Sequence, residues 1–189
     1  MSTAAAPRLM THAEFIALPD DGMERNLIRG VVLEKPMTRR NRFHSKTEAT
    51  IARILGNWVL TLPMPRGEVL SGEAGVYLAR DPDTTVGIDV AYISAETVAA
   101  QTDETTMVDG VPILAVEIQS PNDTVEETKA KVKEYLAAGV KQVWIVDPDF
   151  HFVRVHRPGH EPTFYTMDDE LTAEPDLPGF RVRVAQLFE

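Results

Sequence analysis

The chain has 189 residues, a net charge of −10, 43% hydrophobic residues, 13 prolines and no cysteine. That length suits one domain burying roughly 70% of its unfolded surface, so folding needs neither disulfide nor metal. The missing cysteine excludes disulfide scaffolds, zinc ribbons, iron–sulfur clusters and thiol nucleophiles. The apolar runs are shorter than the ~18 residues of a membrane span. MSTAAAPRLM lacks the apolar core of a signal peptide, so a soluble cytoplasmic protein is expected.

Residues 1–9 read as a disordered, Ala-rich tail ahead of a single domain over 10–189. Thr11 and Glu14 form a T-x-x-E capping box, predicting a short helix over His12 to Leu18 that Pro19 stops. Asn26 to Leu33, with Gly30 inside, reads as a strand or hairpin. From Phe43 to Leu62, Ile51, Ile54, Leu55, Trp58, Val59 and Leu62 recur three and four apart, the pattern of an amphipathic helix. The period then changes. Val69-Leu70, Val76 to Leu78 and Val86 to Ile93 are short β-rich runs broken by Gly72, Gly75 and Asp81-Pro82-Asp83. VPILAVEI, Val111 to Ile118, is the continuous apolar run of a strand buried on both faces, with Glu117 its single charge. Asp123 to Ala138 reads as a helix capped by Gly139. Gln142 to Val146 and Phe152 to His156 read as a hairpin, and Phe180 to Glu189 as a strand with a last helical turn. One α/β domain around a central mixed sheet is the expected fold.

Charge is unevenly spread. Residues 25–53 hold eight cations against Glu34 and Glu48, a local +6 that leaves −16 for the rest of the chain. Residues 81–127 hold eleven acids and no Lys or Arg. Two solvated faces of opposite sign would explain this; so would a basic anion-binding wall beside an acidic cation site.

Two acids sit where strands should be apolar, Asp89 in IDVAY and Glu117 in AVEIQ. A buried carboxylate is costly unless it is paired or holds a cation. Glu117 lies four residues before Pro121, about 13 Å along a strand. Lys131 lies seven residues after Thr124, about 10 Å along a helix. An antiparallel return therefore brings Lys131 level with Glu117. Asp, Glu and Lys around a divalent cation make a phosphodiester-cleaving set. The same spacing also fits an acid paired with an Arg and a lysine facing water.

The stretch ILAVEIQSPNDTVEETKAKVKEYLAAGVKQVWIVDPDFHFVRVHRPG resembles the restriction endonucleases of the Uma-two family, within the PD-(D/E)XK nuclease superfamily. The features that carry it are Val-Glu before Ser-Pro, a Lys-x-x-x-Tyr helix, Ala-Gly-Val, and a strand ending in Asp-Pro. MTHAEFIALPDDG and LPGFRVRVAQLFE resemble the family's opening and closing segments. The resemblance implies a restriction-endonuclease-like central mixed sheet flanked by helices. It implies that Asp89 and Glu117 bind magnesium or manganese, with the backbone carbonyl near Ile118 as a further ligand. Gln119 stands where the superfamily's strand Lys would be, and Lys131 on the next helix takes that role. Arg39, Arg40, Arg42, His44 and Lys46 are expected to meet the DNA backbone, and a homodimer is expected. Three positions depart from the family pattern: Ile88 in place of Pro, Asn26 in place of a Glu that is an extra metal or water ligand, and Arg29 where an acid is frequent. The expected activity is metal-dependent DNA hydrolysis. The alternative is a catalytically inactive nucleic-acid-binding or regulatory protein of the same fold.

His44 is expected to touch phosphate or metal, or to cap its helix, and Tyr135 to pack. His156 and His160 flank Pro-Gly and read as a turn. Ser120 has no placed His–Asp partners for a hydrolase triad.

Overall fold

The structure is a computed structural model that describes residues 8–37, 40–121 and 123–189. A short helix α1 (His12–Ile16) is closed by the expected capping box, Thr11 and Glu14 each bonding the other's backbone N–H. Strands β1 (Met23–Ile28) and β2 (Val31–Pro36) pair antiparallel across a turn in which Arg29 (φ 51°) and Gly30 (φ 76°) are both left-handed, the twist-matched geometry of a tight hairpin. Helix α2 (Arg42–Val59) starts at Asn41, whose side chain accepts the His44 N–H at 2.8 Å.

Strands β3 (Glu68–Ala79) and β4 (Thr84–Ile93) form the longest pairing of the sheet. The two runs expected around Gly72 and Gly75 are one strand. Its register shifts between Ser71 and Ala74, where Gly72 and Glu73 bulge out opposite Asp89. Helix α3 (Ala95–Ala100) and strand β5 (Val108–Asp109) follow, then β6 (Leu114–Ile118), α4 (Val125–Ala138), β7 (Gln142–Asp147) and β8 (Phe152–His156). Helix α4 carries its own capping box, Thr124 with Glu127, and ends at Gly139 with φ 107°, a conformation that suits a residue without Cβ. Strand β9 (Thr163–Thr166) adds an edge, and β10 (Glu170–Thr172) pairs with β11 (Arg181–Arg183) before a final 3-10 turn over Val184–Leu187.

Among the described residues the main sheet has nine strands, in the order β2-β1-β4-β6-β7-β8-β9, with β3 on β4 and β5 on β3. Among the described residues β6–β7 and β3–β5 are the parallel pairs, so the sheet is mixed, as expected. Helix α2 lays Ile51, Leu55 and Trp58 on one face, over Val90, Val116, Trp144 and Val146, and the C-terminal Leu177, Phe180 and Leu187 close that layer. Helix α4 lays Val132 and Tyr135 on the other, over Ile88, Ala115, Val143 and Ile145. Residues alternate along β6, so Glu117 projects to the α4 face together with Ala115.

One irregularity prepares the site. Thr85 pairs with both Tyr77 of β3 and Leu27 of β1, while Tyr92 pairs with both Val69 of β3 and Leu114 of β6. β1 and β6 therefore share the β4 edge opposite β3, and residues 86–89 face a breach between them. Backbone groups left there must find other partners. The Gly87 N–H donates to Asn26 Oδ1 at 3.0 Å, and the Ile118 N–H donates to Asp89 Oδ2 at 2.8 Å.

No described helix is long and apolar enough to cross a membrane. The tail expected over residues 1–9 lies mostly outside the described residues. Arg8, which is described, pairs with Glu14, and the Met10 N–H donates to Gly30 O at 2.8 Å.

Candidate functional site

The breach opens into a cavity of about 320 Å³ between the β1–β2 hairpin and α4. Glu117 lies at its floor and is 9% exposed. Lys131 donates to Glu117 Oε2 at 2.7 Å, and Tyr135, one helical turn further on, donates its O–H to Oε1 at 2.6 Å. Strand and helix thus converge as their spacing suggested, and both carboxylate oxygens are engaged. Burial pushes the Glu117 carboxyl up, and Lys131 offsets this only in part. Burial would lower the Lys131 ammonium, but the adjacent Glu117 outweighs it and holds the group above its usual value, so it stays protonated. Burial and the same carboxylate push the Tyr135 phenol far up, so it stays a donor.

Asp89 occupies the other side of the breach, 3% exposed. Burial pushes its carboxyl up. His44, the Ile118 N–H and Lys131 together prevail and hold it below the usual range, so Asp89 is a carboxylate. His44 projects from the first turn of α2 and is 1% exposed. Its Nε2 is 3.5 Å from Asp89 Oδ2 and its Nδ1 is 3.9 Å from Glu48 Oε2, and among the described residues neither nitrogen has a hydrogen-bond partner. An unsatisfied buried polar group costs about 1–3 kcal/mol, so its position calls for a ligand. His44, Glu48 and Asp89 each offer a ligand atom within 4.8 Å of the others. Two carboxylates and an imidazole are a donor set that fits a divalent cation.

The residues singled out from sequence divide clearly. Asp89, Glu117, Ile118 and Lys131 come together at the breach, and Gln119 lines the cavity beside them. His44 is neither a surface contact nor the helix cap; Asn41 caps, and His44 points inward to Asp89. Tyr135 does more than pack, because its hydroxyl holds Glu117. Asn26, at the departing position, has its Oδ1 committed to the Gly87 N–H, and Arg29 pairs with Glu134 at 2.9 Å.

The basic segment does not form a free wall. Arg25, Arg29, Lys35 and Arg40 are all in ion pairs, Arg40 with both Glu24 and Glu73. Arg42 lies over the Phe43 ring and Lys46 donates to the Phe188 carbonyl; both are exposed. Arg39 lies outside the described residues. Glu48 is not among the expected site residues; in the sequence it reads as a charge opposing the cations around it. Its signal was the i, i+4 spacing from His44.

No curated protein matches the chain. A crystal structure from Anabaena variabilis, titled a "putative nuclease belonging to DUF820", superposes with a TM-score of 0.77 at 20% identity, covering 95% of this chain and 97% of that one. At that identity the likeness establishes the shared fold. The Uma2 family, described as "Putative restriction endonuclease", matches residues 12–185. That match takes in the hairpin, the breach and both cores, and the chain belongs to the Uma2 family.

Proposed function

We propose that the protein is a cytoplasmic, metal-dependent endonuclease that hydrolyses phosphodiester bonds in DNA. The observation that carries this reading is a protonated Lys131 held on buried Glu117 at a breach whose other side is Asp89. The charge of the cleft supports it. Among the described residues, Glu24, Glu34, Glu117, Asp123, Glu127 and Glu134 line the cavity against Lys35 and Lys131. Such a cleft repels a phosphate backbone until cations neutralise it.

Asp89 and Glu117, with the Ile118 carbonyl as a further ligand, would hold magnesium or manganese, which would supply Lewis acidity toward the scissile phosphate. The chain's own residues supply the rest. Lys131, as an ammonium, donates to the attacking water and orients it; it is not the base. Tyr135 fixes the free rotation of Glu117 through Oε1, so that Oε2 and Lys131 keep one geometry. The Gln119 amide holds a second water at the cleft lining. Arg42 and Lys46, exposed on the first turns of α2, remain available to the DNA backbone, and Arg40 joins them only when its pairs with Glu24 and Glu73 open. Two copies, each cutting one strand, complete a double-strand break.

The test is cleavage of supercoiled plasmid and of mixed-sequence duplexes in Mn²⁺. Wild type nicks DNA, and Glu117→Gln is slower by about ten- to a hundredfold. A Glu117→Gln protein that cleaves as fast as wild type overturns the assignment. One observation favours the second reading, an inactive DNA-binding protein: Asn26 brings no charge to the breach and is committed to Gly87. That reading predicts salt-sensitive DNA binding without cleavage by either protein.

A further inference from the structure

We propose that His44 and Glu48 join Asp89 in a nitrogen-containing cation centre that selects a transition-metal ion of the Mn²⁺ or Co²⁺ class over Mg²⁺. This rests on the reading that Asp89 holds a divalent cation, and adds to it two ligands from α2 and a metal preference.

Three observations converge. His44 and Glu48 stand one helical turn apart, so both side chains lean to the same side of α2, toward β4. The two carboxylates are each held by a backbone N–H: Gly72 donates to Glu48 Oε1 at 2.7 Å, and Ile118 donates at 2.8 Å to Asp89 Oδ2, the oxygen that also faces His44. Such bonds fix ligand directions before any ion arrives. The imidazole between them is 1% exposed and has no hydrogen bond on either nitrogen among the described residues. Its Nε2 stands 3.5 Å from Asp89 Oδ2, wider than a good hydrogen bond. Neighbouring ligand atoms on an ion with bonds of about 2.1 Å are roughly 3.0–3.5 Å apart. The separation is thus that of two ligands sharing an ion.

The imidazole also sets the metal. Mg²⁺ prefers all-oxygen surroundings and keeps its waters, whereas first-row transition ions gain from a nitrogen donor. The Asp89–Glu117 pair on its own offers only oxygen and draws no such distinction.

The test uses the full chain and the metal alone. Pulsed EPR of Mn²⁺ bound to wild type shows coupling to an imidazole ¹⁴N, a readout that a merely structural His44 does not give and that needs no variant. His44→Gln removes the coupling and weakens Mn²⁺ by at least about tenfold, the low end of what losing a residue that supports a metal site costs. Glu48→Gln, which keeps an acceptor for the Gly72 N–H, weakens Mn²⁺ similarly. Mg²⁺, measured by competition, binds wild type at least tenfold more weakly than Mn²⁺ and is little changed in His44→Gln. Tight Mn²⁺ binding without ¹⁴N coupling, unchanged in His44→Gln and lost in Asp89→Asn, overturns the inference and leaves the Asp89 reading standing. No saturable Mn²⁺ binding by wild type overturns both.

Discussion

Lys131→Met separates the cost of the buried ion pair from its use. The substitution removes an ammonium 2.7 Å from a carboxylate that is 9% exposed. Stranding a fully buried charge costs about 3–5 kcal/mol. Two features lower that figure. The Lys131 side chain is itself 36% exposed, so water screens the pair, and Tyr135 still donates to Oε1. The expected loss at pH 8 is about 2 kcal/mol, which lowers the melting temperature by ~4–8 °C in a chain of this size. The pH dependence follows from Glu117, whose carboxyl is raised by burial above its ordinary 4.5. A raised carboxyl makes the folded state the better proton binder. Its contribution to stability is therefore greatest in acid and is lost as pH climbs from 4.5 through the folded value. Without Lys131 that value rises further, so the penalty is larger at pH 8 than at pH 5. Glu117→Gln removes the charge, and the double variant Glu117→Gln/Lys131→Met returns to within about 1 kcal/mol of wild type or exceeds it. Urea unfolding of the four proteins at both pH values measures this. A Lys131→Met loss that ignores pH, or a double variant whose losses simply add, would mean that the buried Glu117–Lys131 pair is not what the substitution breaks.

Tyr135→Phe removes the O–H that reaches Glu117 and costs about 2 kcal/mol, since the acceptor is charged and buried; an unchanged urea midpoint would show that the contact carries nothing. Asp83 ties α1 to the β3–β4 turn, accepting the His12 N–H at 2.6 Å and the Tyr77 O–H at 2.7 Å, and these bonds hold its carboxyl below its ordinary 3.8. A lowered carboxyl stabilises above 3.8, and that contribution is lost as pH falls through the folded value. Asp83→Asn therefore loses about 1 kcal/mol at pH 7 and shows a shallower decline between pH 5 and 3; an acid slope equal to wild type contradicts this.

The legible parts of the fold were those with local signals. The capping boxes at Thr11 and Thr124, the apolar spacing from Ile51 to Val59 and the run ending at Ile118 each announce an element without reference to the rest of the chain. Helix α3 buries none of its residues, and β9 lies on an edge with three of its four residues exposed, so neither had an apolar period to read. Gly72 and Gly75 looked like strand breakers because a bulge and a break use the same residues; only pairing with β4 tells them apart.

The site divides in the same way. Glu117 and Lys131 could be brought level by counting rise along one strand and one helix. The breach could not, because it depends on β1 and β6 sharing one edge of β4, a fact of topology that spans residues 27 to 116. The role of Tyr135 was hidden for the same reason. Its spacing from Lys131 was visible, but its partner lies across the layer. The basic segment left two readings open in the sequence, since net charge along the chain says nothing of which cations meet Glu24, Glu34 or Glu134 in space.

The most direct measurement is a titration of Mn²⁺ into the metal-free protein, followed by the relaxation of water protons, with Asp89→Ala beside the wild type. Binding at the breach needs no knowledge of a DNA sequence, so a negative result is as informative as a positive one. A cation site at Asp89 gives saturable binding by wild type that is lost in Asp89→Ala. Wild-type binding as weak as the variant's would contradict it.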